Sequence, residues 1–230
     1  MPKKALSALP FIDIHTHRIV SVANIQAIEN VFAKDIHLFE NIKEGVFSVG
    51  LHPWHINSLT FEREISSISE IAASQQVLAI GETGLDKLCN VDFELQKQVF
   101  TRHLEISGNT GKPLIIHCIK AFPEIISVYQ KSGSDATLIF HGFNNNISIA
   151  ENLLRQGFYL SFGYALLNEK SNACQVIGLI PVDRFFLETD DSGNSIEEIY
   201  AQAARIRRCS ILDLKIIVLQ NFENCFKIKL

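Results

Sequence analysis

The sequence predicts an α/β protein of the TIM-type (β/α)8 barrel class, with a truncated first βα unit and C-terminal helices. Short runs of β-branched and aromatic residues alternate with longer helical patterns along the chain, the mark of successive βα units on a parallel sheet. About eight such runs occur, the number that closes a barrel. A chain of 230 residues, 47% hydrophobic, is enough for one sizeable core. Residues 1–230 are therefore read as a single domain.

The expected strands are 11–15, 25–32, 46–52, 77–81, 114–118, 137–141, 159–162 and 185–189. Between them Phe61, Ile65, Ile68 and Ala72 recur at helical spacing, as do Leu95, Val99 and Leu104 after the N-cap candidate Asp92. Gly111 before Pro113 and Gly157 after Leu153 and Leu154 mark helix stops. Only residues 17–24 separate the first two strands, too few for a full crossover helix, so the first unit is truncated. Residues 195–208 and 211–226 read as two closing amphipathic helices, with Ile199, Ala203 and Ile206 on one stripe.

The formal net charge of -4 excludes a broadly basic nucleic-acid binder, so any nucleic acid must be held locally. The five cysteines, Cys89, Cys118, Cys174, Cys209 and Cys225, are odd in number and widely spaced. They fit neither a disulfide framework nor a CxxC knuckle, and point to a reducing cytoplasm. The start, with Lys3 and Lys4 before a short apolar stretch, makes a poor export signal. No apolar run approaches the roughly 20 residues of a membrane span.

Asp13, His15 and His17 share one parity at the end of the first strand, so their side chains can face the barrel interior while Ile12 and Ile14 face helices. Further metal-ligand residue types stand at other strand ends: Glu82, His117, His141 and Asp190. A lone histidine there is ordinarily a satisfied core residue and a lone acid a helix cap. In a barrel, however, the C-terminal strand ends share one mouth, and repetition at every strand points to a metal site. His52 is either a donor to a substrate phosphoryl oxygen or a residue fixing its loop. Trp54 and Phe143 either stack on a base or pack. His37, His55 and His103 read as ordinary surface or loop histidines.

Taken together, Asp13-Ile-His15-Thr-His17, Gly50-Leu-His52-Pro53, Gly81-Glu82-Thr-Gly84-Leu85-Asp86, Pro113-Leu-Ile-Ile-His117, His141-Gly-Phe143 and Glu188-Thr189-Asp190 resemble the TatD family of metal-dependent hydrolases and deoxyribonucleases. The closing run from Gln220 to Phe226 is similar to that family's C-terminal helix. The resemblance implies two divalent ions (zinc, magnesium or manganese): His15, His17 and Asp190 on one, His117 and His141 on the other, Glu82 bridging. It also implies hydrolysis of DNA or another phosphodiester by activated water, with Asp190 and Glu82 catalytic and Asp190 taking up the proton. The chain departs from the family in three places. Lys120 is the first cation after His117, where an Arg is usual; Ser192 stands for a proline; and Lys87 and Leu88 stand where aromatic residues are frequent. A Lys holds phosphate as a point charge rather than a bidentate fork. Arg18, Lys87 and Lys120 are the cations available to a substrate, with His52, Lys120 and Arg18 taken as its binding residues. Two alternatives are an amidohydrolase- or phosphotriesterase-like enzyme acting on a small molecule, and a non-catalytic metal-binding scaffold.

Overall fold

A computed structural model describes residues 9–18, 20, 22–39 and 44–229. The expectation about an export signal, which turns on Lys3 and Lys4, lies outside them. The strands are β1 (Phe11–Thr16), β2 (Ile25–Phe32), β3 (Val46–Gly50), β4 (Val77–Asp86), β5 (Leu114–Ile119), β6 (Leu138–Phe140), β7 (Tyr159–Phe162) and β8 (Phe185–Leu187). They form one eight-stranded sheet in chain order, the TIM-type (β/α)8 class the sequence predicts. The helices are α1 (Ile36–Phe39), α2 (Phe61–Ile71), α3 (Phe93–Thr110), α4 (Phe122–Ser132), α5 (Ile147–Arg155), α6 (Asn172–Ile177), α7 (Ile196–Arg207) and α8 (Ile211–Phe226). Among the described residues no helix separates β1 from β2, as the short connection requires. No described helix is long and apolar enough to cross a membrane.

The chain divides into two compact units. One comprises the described residues within Met1–Ile28 and His141–Leu230, the other Glu29–Phe140. In the first, β7 pairs in parallel with β8, Phe162 opposite Leu187. Ile12 and Ile14 of β1 are fully buried. The buried Tyr200 hydroxyl of α7 accepts from Ile12 N–H and donates to Ile12 O, both at 3.1 Å. Ile199 and Ala203 share that buried face. Both closing helices begin with capping boxes, Ser195 with Glu198 and Ser210 with Asp213.

In the second unit β3, β4, β5 and β6 pair in parallel. Phe61, Ile65, Ile68 and Ala72 are buried, as their spacing predicts. Asp92 caps α3 by accepting Leu95 N–H at 2.8 Å, and Gly111 ends it in the left-handed conformation. One expectation is corrected. His103 is not a surface histidine but is fully buried on α3. Its Nε2 accepts Leu51 N–H at 3.0 Å, which leaves the ring proton on Nδ1, 2.8 Å from Val99 O. An alternating polar/apolar reading of α3 hides this, because a histidine scores as polar whichever way it points.

Burial lowers the His103 pKa from 6.5 to about 4, and the Val99 carbonyl offsets only part of that. The folded-state value is depressed, so the stabilising difference is complete above about pH 6.5. It is lost as the pH falls toward 4, where the unfolded chain binds a proton that the folded chain refuses. At ~1.4 kcal/mol for each tenfold change in proton affinity, the loss is about 3 kcal/mol. Urea unfolding of chelator-treated protein should therefore show a steep loss of stability between about pH 7 and about pH 4. His103→Gln, which keeps an acceptor for Leu51 N–H, should flatten that loss by about 2–3 kcal/mol. Parallel pH profiles for the two proteins would reject the assignment.

Candidate metal centre

In the first unit the ends of β1 and β8 are stitched by backbone. Asp190 N–H donates to His15 O at 2.9 Å, and His17 N–H donates to Asp190 O at 3.3 Å. Asp190 takes a left-handed conformation, φ 54°, which aspartate tolerates better than bulkier residues. Its Oδ1 lies 3.3 Å from His17 Nε2 and 3.6 Å from His15 Nε2. The His15 ring is 4.9 Å from that of His17 and 4.6 Å from that of His141. Beneath them Asp13 accepts Thr189 N–H at 3.0 Å and the Thr189 hydroxyl at 2.6 Å. Burial raises the Asp13 carboxyl to about 7 against the pull of these two bonds, with the Glu188 charge adding to the rise. Glu188 is fully buried; its Oε1 accepts Gly142 N–H at 2.6 Å and lies 3.6 Å from His141 Nδ1.

In the second unit Glu82, His117 and Asp86 come from β4 and β5, whose register sets Gly84 opposite His117. Gly84 has φ +146°, and a Cβ there would lie 2.0 Å from His117 O. Only glycine lets the two backbones approach this closely. Gly50 at the end of β3 is similarly confined, since its Cβ would lie 2.6 Å from Glu82 O. Glu82 N–H donates to Asn30 Oδ1 at 2.8 Å. Glu82 Oε1 lies 2.8 Å from His117 Nδ1 and 3.2 Å from His52 Nε2. His52 Nδ1 accepts Trp54 N–H at 3.1 Å, so Nε2 carries the His52 proton. Burial lowers the His52 pKa, with Glu82 pulling the other way. Asp86 Oδ2 accepts the Trp54 indole N–H at 2.7 Å and lies 3.3 Å from His117 Nε2, and Oδ1 accepts Leu88 N–H at 2.7 Å. Burial would raise the Asp86 carboxyl, but these donors outweigh it and hold it below the usual value.

The family described as TatD related DNase matches residues 11–227, nearly the whole chain. The chain belongs to the TatD family. An uncharacterized metal-dependent hydrolase of Buchnera aphidicola subsp. Baizongia pistaciae is 30% identical over 179 residues, 76% of this chain and 66% of that protein. The uncharacterized metal-dependent hydrolase YabD of Bacillus subtilis is 26% identical over 197 residues, 79% of this chain and 77% of that one. The match thus spans about two thirds of the first relative's length. The solved structure of the TatD homolog YJJV from Escherichia coli has the same fold, with TM-score 0.80, 21% identity and coverage of 95% of this chain and 98% of that one. The phosphotriesterase homology protein from Escherichia coli, solved with phosphate in its active site, shares the fold at TM-score 0.69 and 13% identity, covering 95% and 99%.

Within each unit, the TatD-like residues meet as potential ligands. His15, His17 and Asp190 bring ligand atoms within 4.8 Å of one another, as do His141, Glu188 and Asp190, and, in the other unit, His52, Glu82 and His117. These donors fit a divalent metal. Imidazole and carboxylate together suit zinc and manganese, and carboxylate alone suits magnesium. The Glu188 Oε2 atom, buried with no hydrogen-bond partner among the described residues, also fits a nearby cation. An uncompensated buried carboxylate is otherwise costly.

Several residues sit differently from expectation. Glu82 lies inside β4, not after it, because β4 goes on pairing with β5 as far as Asp86. His52 and His141, expected as the last residues of their strands, lie just beyond them, while Asp190 lies past β8, where it was expected. The His52 proton is directed at Glu82, so in this structure the ring fixes the carboxylate and is not turned outward to a phosphate. Phe143 is buried against Phe162, ring centroids 5.8 Å apart, and is a core residue rather than a stacking platform. Trp54 is 62% exposed. It lines a cleft of about 520 Å³ with Asp86, Leu88, Val91 and Ile119. Arg18 Nη2 donates to Asp191 O at 3.3 Å, and Lys120 is exposed just past β5.

Four contributors escaped the sequence reading: Asp86, Glu188, Asn30 and Gln96. Asp86 and Glu188 lie within the TatD-like motifs, but the sequence reading gave them no role of their own. Gln96 is fully buried on α3. It holds Asp86 by its main chain, accepting Asp86 N–H at 2.8 Å and donating to Asp86 O at 3.0 Å. Its only sequence signal is an amide at a position the helical stripe assigns to the core.

Proposed function

We propose that this TatD-family chain is a divalent-metal-dependent phosphodiesterase that hydrolyses single-stranded DNA, using up to two ions of zinc, magnesium or manganese. The observation that supports this most is the convergence, within each unit, of imidazole and carboxylate atoms from separate strand ends, in a chain of a family described as related to deoxyribonucleases. In this reading His15, His17, His141 and Asp190 supply ligands in the first unit, and Glu82 and His117 in the second. A bound ion would polarise a phosphoryl oxygen and bring the pKa of water from about 15.7 toward about 7. Asp190 Oδ1 takes up the proton released during attack. In the first unit Arg18, once released from Asp191 O, holds a phosphate oxygen as a forked donor, and in the second Lys120 Nζ does so as a point charge. The cleft beside Asp86, walled by Leu88, Val91 and Ile119, favours a second reading, hydrolysis of a small apolar ester, lactone or phosphotriester.

The test is cleavage of an end-labelled oligonucleotide by metal-replete protein beside a panel of lactones, cyclic amides and phosphotriesters. DNA cleavage is expected, with a shallow salt dependence because few cations contact phosphate. Lys120→Ala should raise KM about 3- to 10-fold with little change in kcat, as loss of uniform binding does. Turnover of a small molecule with DNA left intact would replace the first reading with the second.

A further inference from the structure

His117 stands between two carboxylates, with Nδ1 2.8 Å from Glu82 Oε1 and Nε2 3.3 Å from Asp86 Oδ2. A neutral imidazole carries one proton and can donate to only one of them. Glu82 Oε1 already faces the proton on His52 Nε2, whereas Asp86 receives the Trp54 indole N–H and Leu88 N–H and is anchored through its own main chain by Gln96. Asp86 is thus a fixed acceptor, and it faces the ring nitrogen turned away from Glu82.

From this juxtaposition we propose that Asp86 is a positioning residue that keeps the His117 proton on Nε2 and so leaves Nδ1, beside Glu82, as the atom that ligates a metal ion. The proposal rests on the metal-dependent reading above and adds to it a role for an acid outside the expected ligand set. A carboxylate that accepts the remote N–H of a ligating histidine fixes its tautomer and raises its basicity, and losing such a partner typically weakens metal binding about 10- to 100-fold. The five residues Trp54, Asp86, His117, Glu82 and His52 form a closed circuit, because His52 Nδ1 accepts the Trp54 backbone N–H. The exposed Trp54 is thereby part of the support and not only a wall of the cleft.

Asp86→Asn is the informative variant. The amide keeps an oxygen for Leu88 N–H and puts its NH₂ at the Oδ2 position, giving up the bond from the exposed Trp54 indole and facing His117 Nε2, which drives the ring proton to Nδ1 and blocks the ligand atom. Zinc affinity, measured by competition with a chromophoric chelator, should fall about 10- to 100-fold, and the thermal unfolding of the chelator-treated protein should change little. Glu82→Ala serves as the control that weakens binding in the same unit at least about 100-fold. Nitrogen NMR of the wild type supplies a readout that does not depend on a variant folding: His117 should show an Nε2–H with and without zinc. Wild-type zinc affinity in Asp86→Asn, or an Nδ1–H on His117 in the wild type, would overturn the proposal. If the wild type took up no ion, the functional reading would fail, and the ion-free spectrum would still decide where the His117 proton resides.

Discussion

Asp190→Asn is expected to lower kcat for phosphodiester hydrolysis by about 10²- to 10⁴-fold, the range for removing a positioned proton acceptor. KM should change by less than about threefold, because the substitution acts on the chemical step and not on ground-state binding. The fold should survive. Asp190 is held through its main chain, N–H to His15 O and O to His17 N–H, and neither bond involves the carboxylate. The carboxylate, whose Oδ1 lies 3.3 Å from His17 Nε2, is the group altered. Asn is nearly isosteric but cannot take up a proton at neutral pH. The assay is done at saturating metal so that weaker ion binding is not mistaken for lost chemistry, with metal content measured on the same sample. Activity within about tenfold of wild type in a metal-replete Asp190→Asn protein would remove Asp190 from the proton-transfer role.

Metal content should respond most strongly to Glu82→Ala. Glu82 is the charged member of the His52, Glu82 and His117 group, and it is 4% exposed. Removing it takes away a formal negative charge and two oxygens, whereas His141→Ala removes one neutral imidazole. Binding in Glu82→Ala should weaken at least about 100-fold, the upper end of what losing even an outer-sphere partner costs, and more than in His141→Ala. Elemental analysis after dialysis against a weak chelator gives the comparison directly. The rings of His52 and His117, centroids 4.4 Å apart, also lose the carboxylate that lies against His52 Nε2 and His117 Nδ1, so thermal stability in the presence of metal should fall with occupancy. Equal, full metal occupancy in wild type and Glu82→Ala would remove Glu82 from the ligand set.

The alternation of hydrophobic runs and helical stripes was enough to place β2 and β7 at their observed bounds and the other strands within two residues, except β4, which runs five further; in β7 burial on both faces leaves a nearly continuous apolar run. Helix limits at Asp92, Gly111 and Ser195 were legible for a similar local reason: capping and left-handed residues act on their own turn. The candidate ligand residue types could also be read, since His15, His17, Glu82, His117, His141 and Asp190 recur at the ends of the expected strands.

What only the tertiary structure decided is which nitrogen and which oxygen face each other. Asp86 belongs with His117 because β4 runs on past Glu82 in register with β5, and that extension depends on Gly84 tolerating the His117 carbonyl, a contact between residues 33 positions apart in sequence. His103 became a buried acceptor for Leu51, and His52 a donor to Glu82, through pairings 52 and 30 residues apart. Hydrophobic periodicity records how much a side chain is buried. It carries no information about its hydrogen-bond partner, and at this centre the partner determines the chemistry.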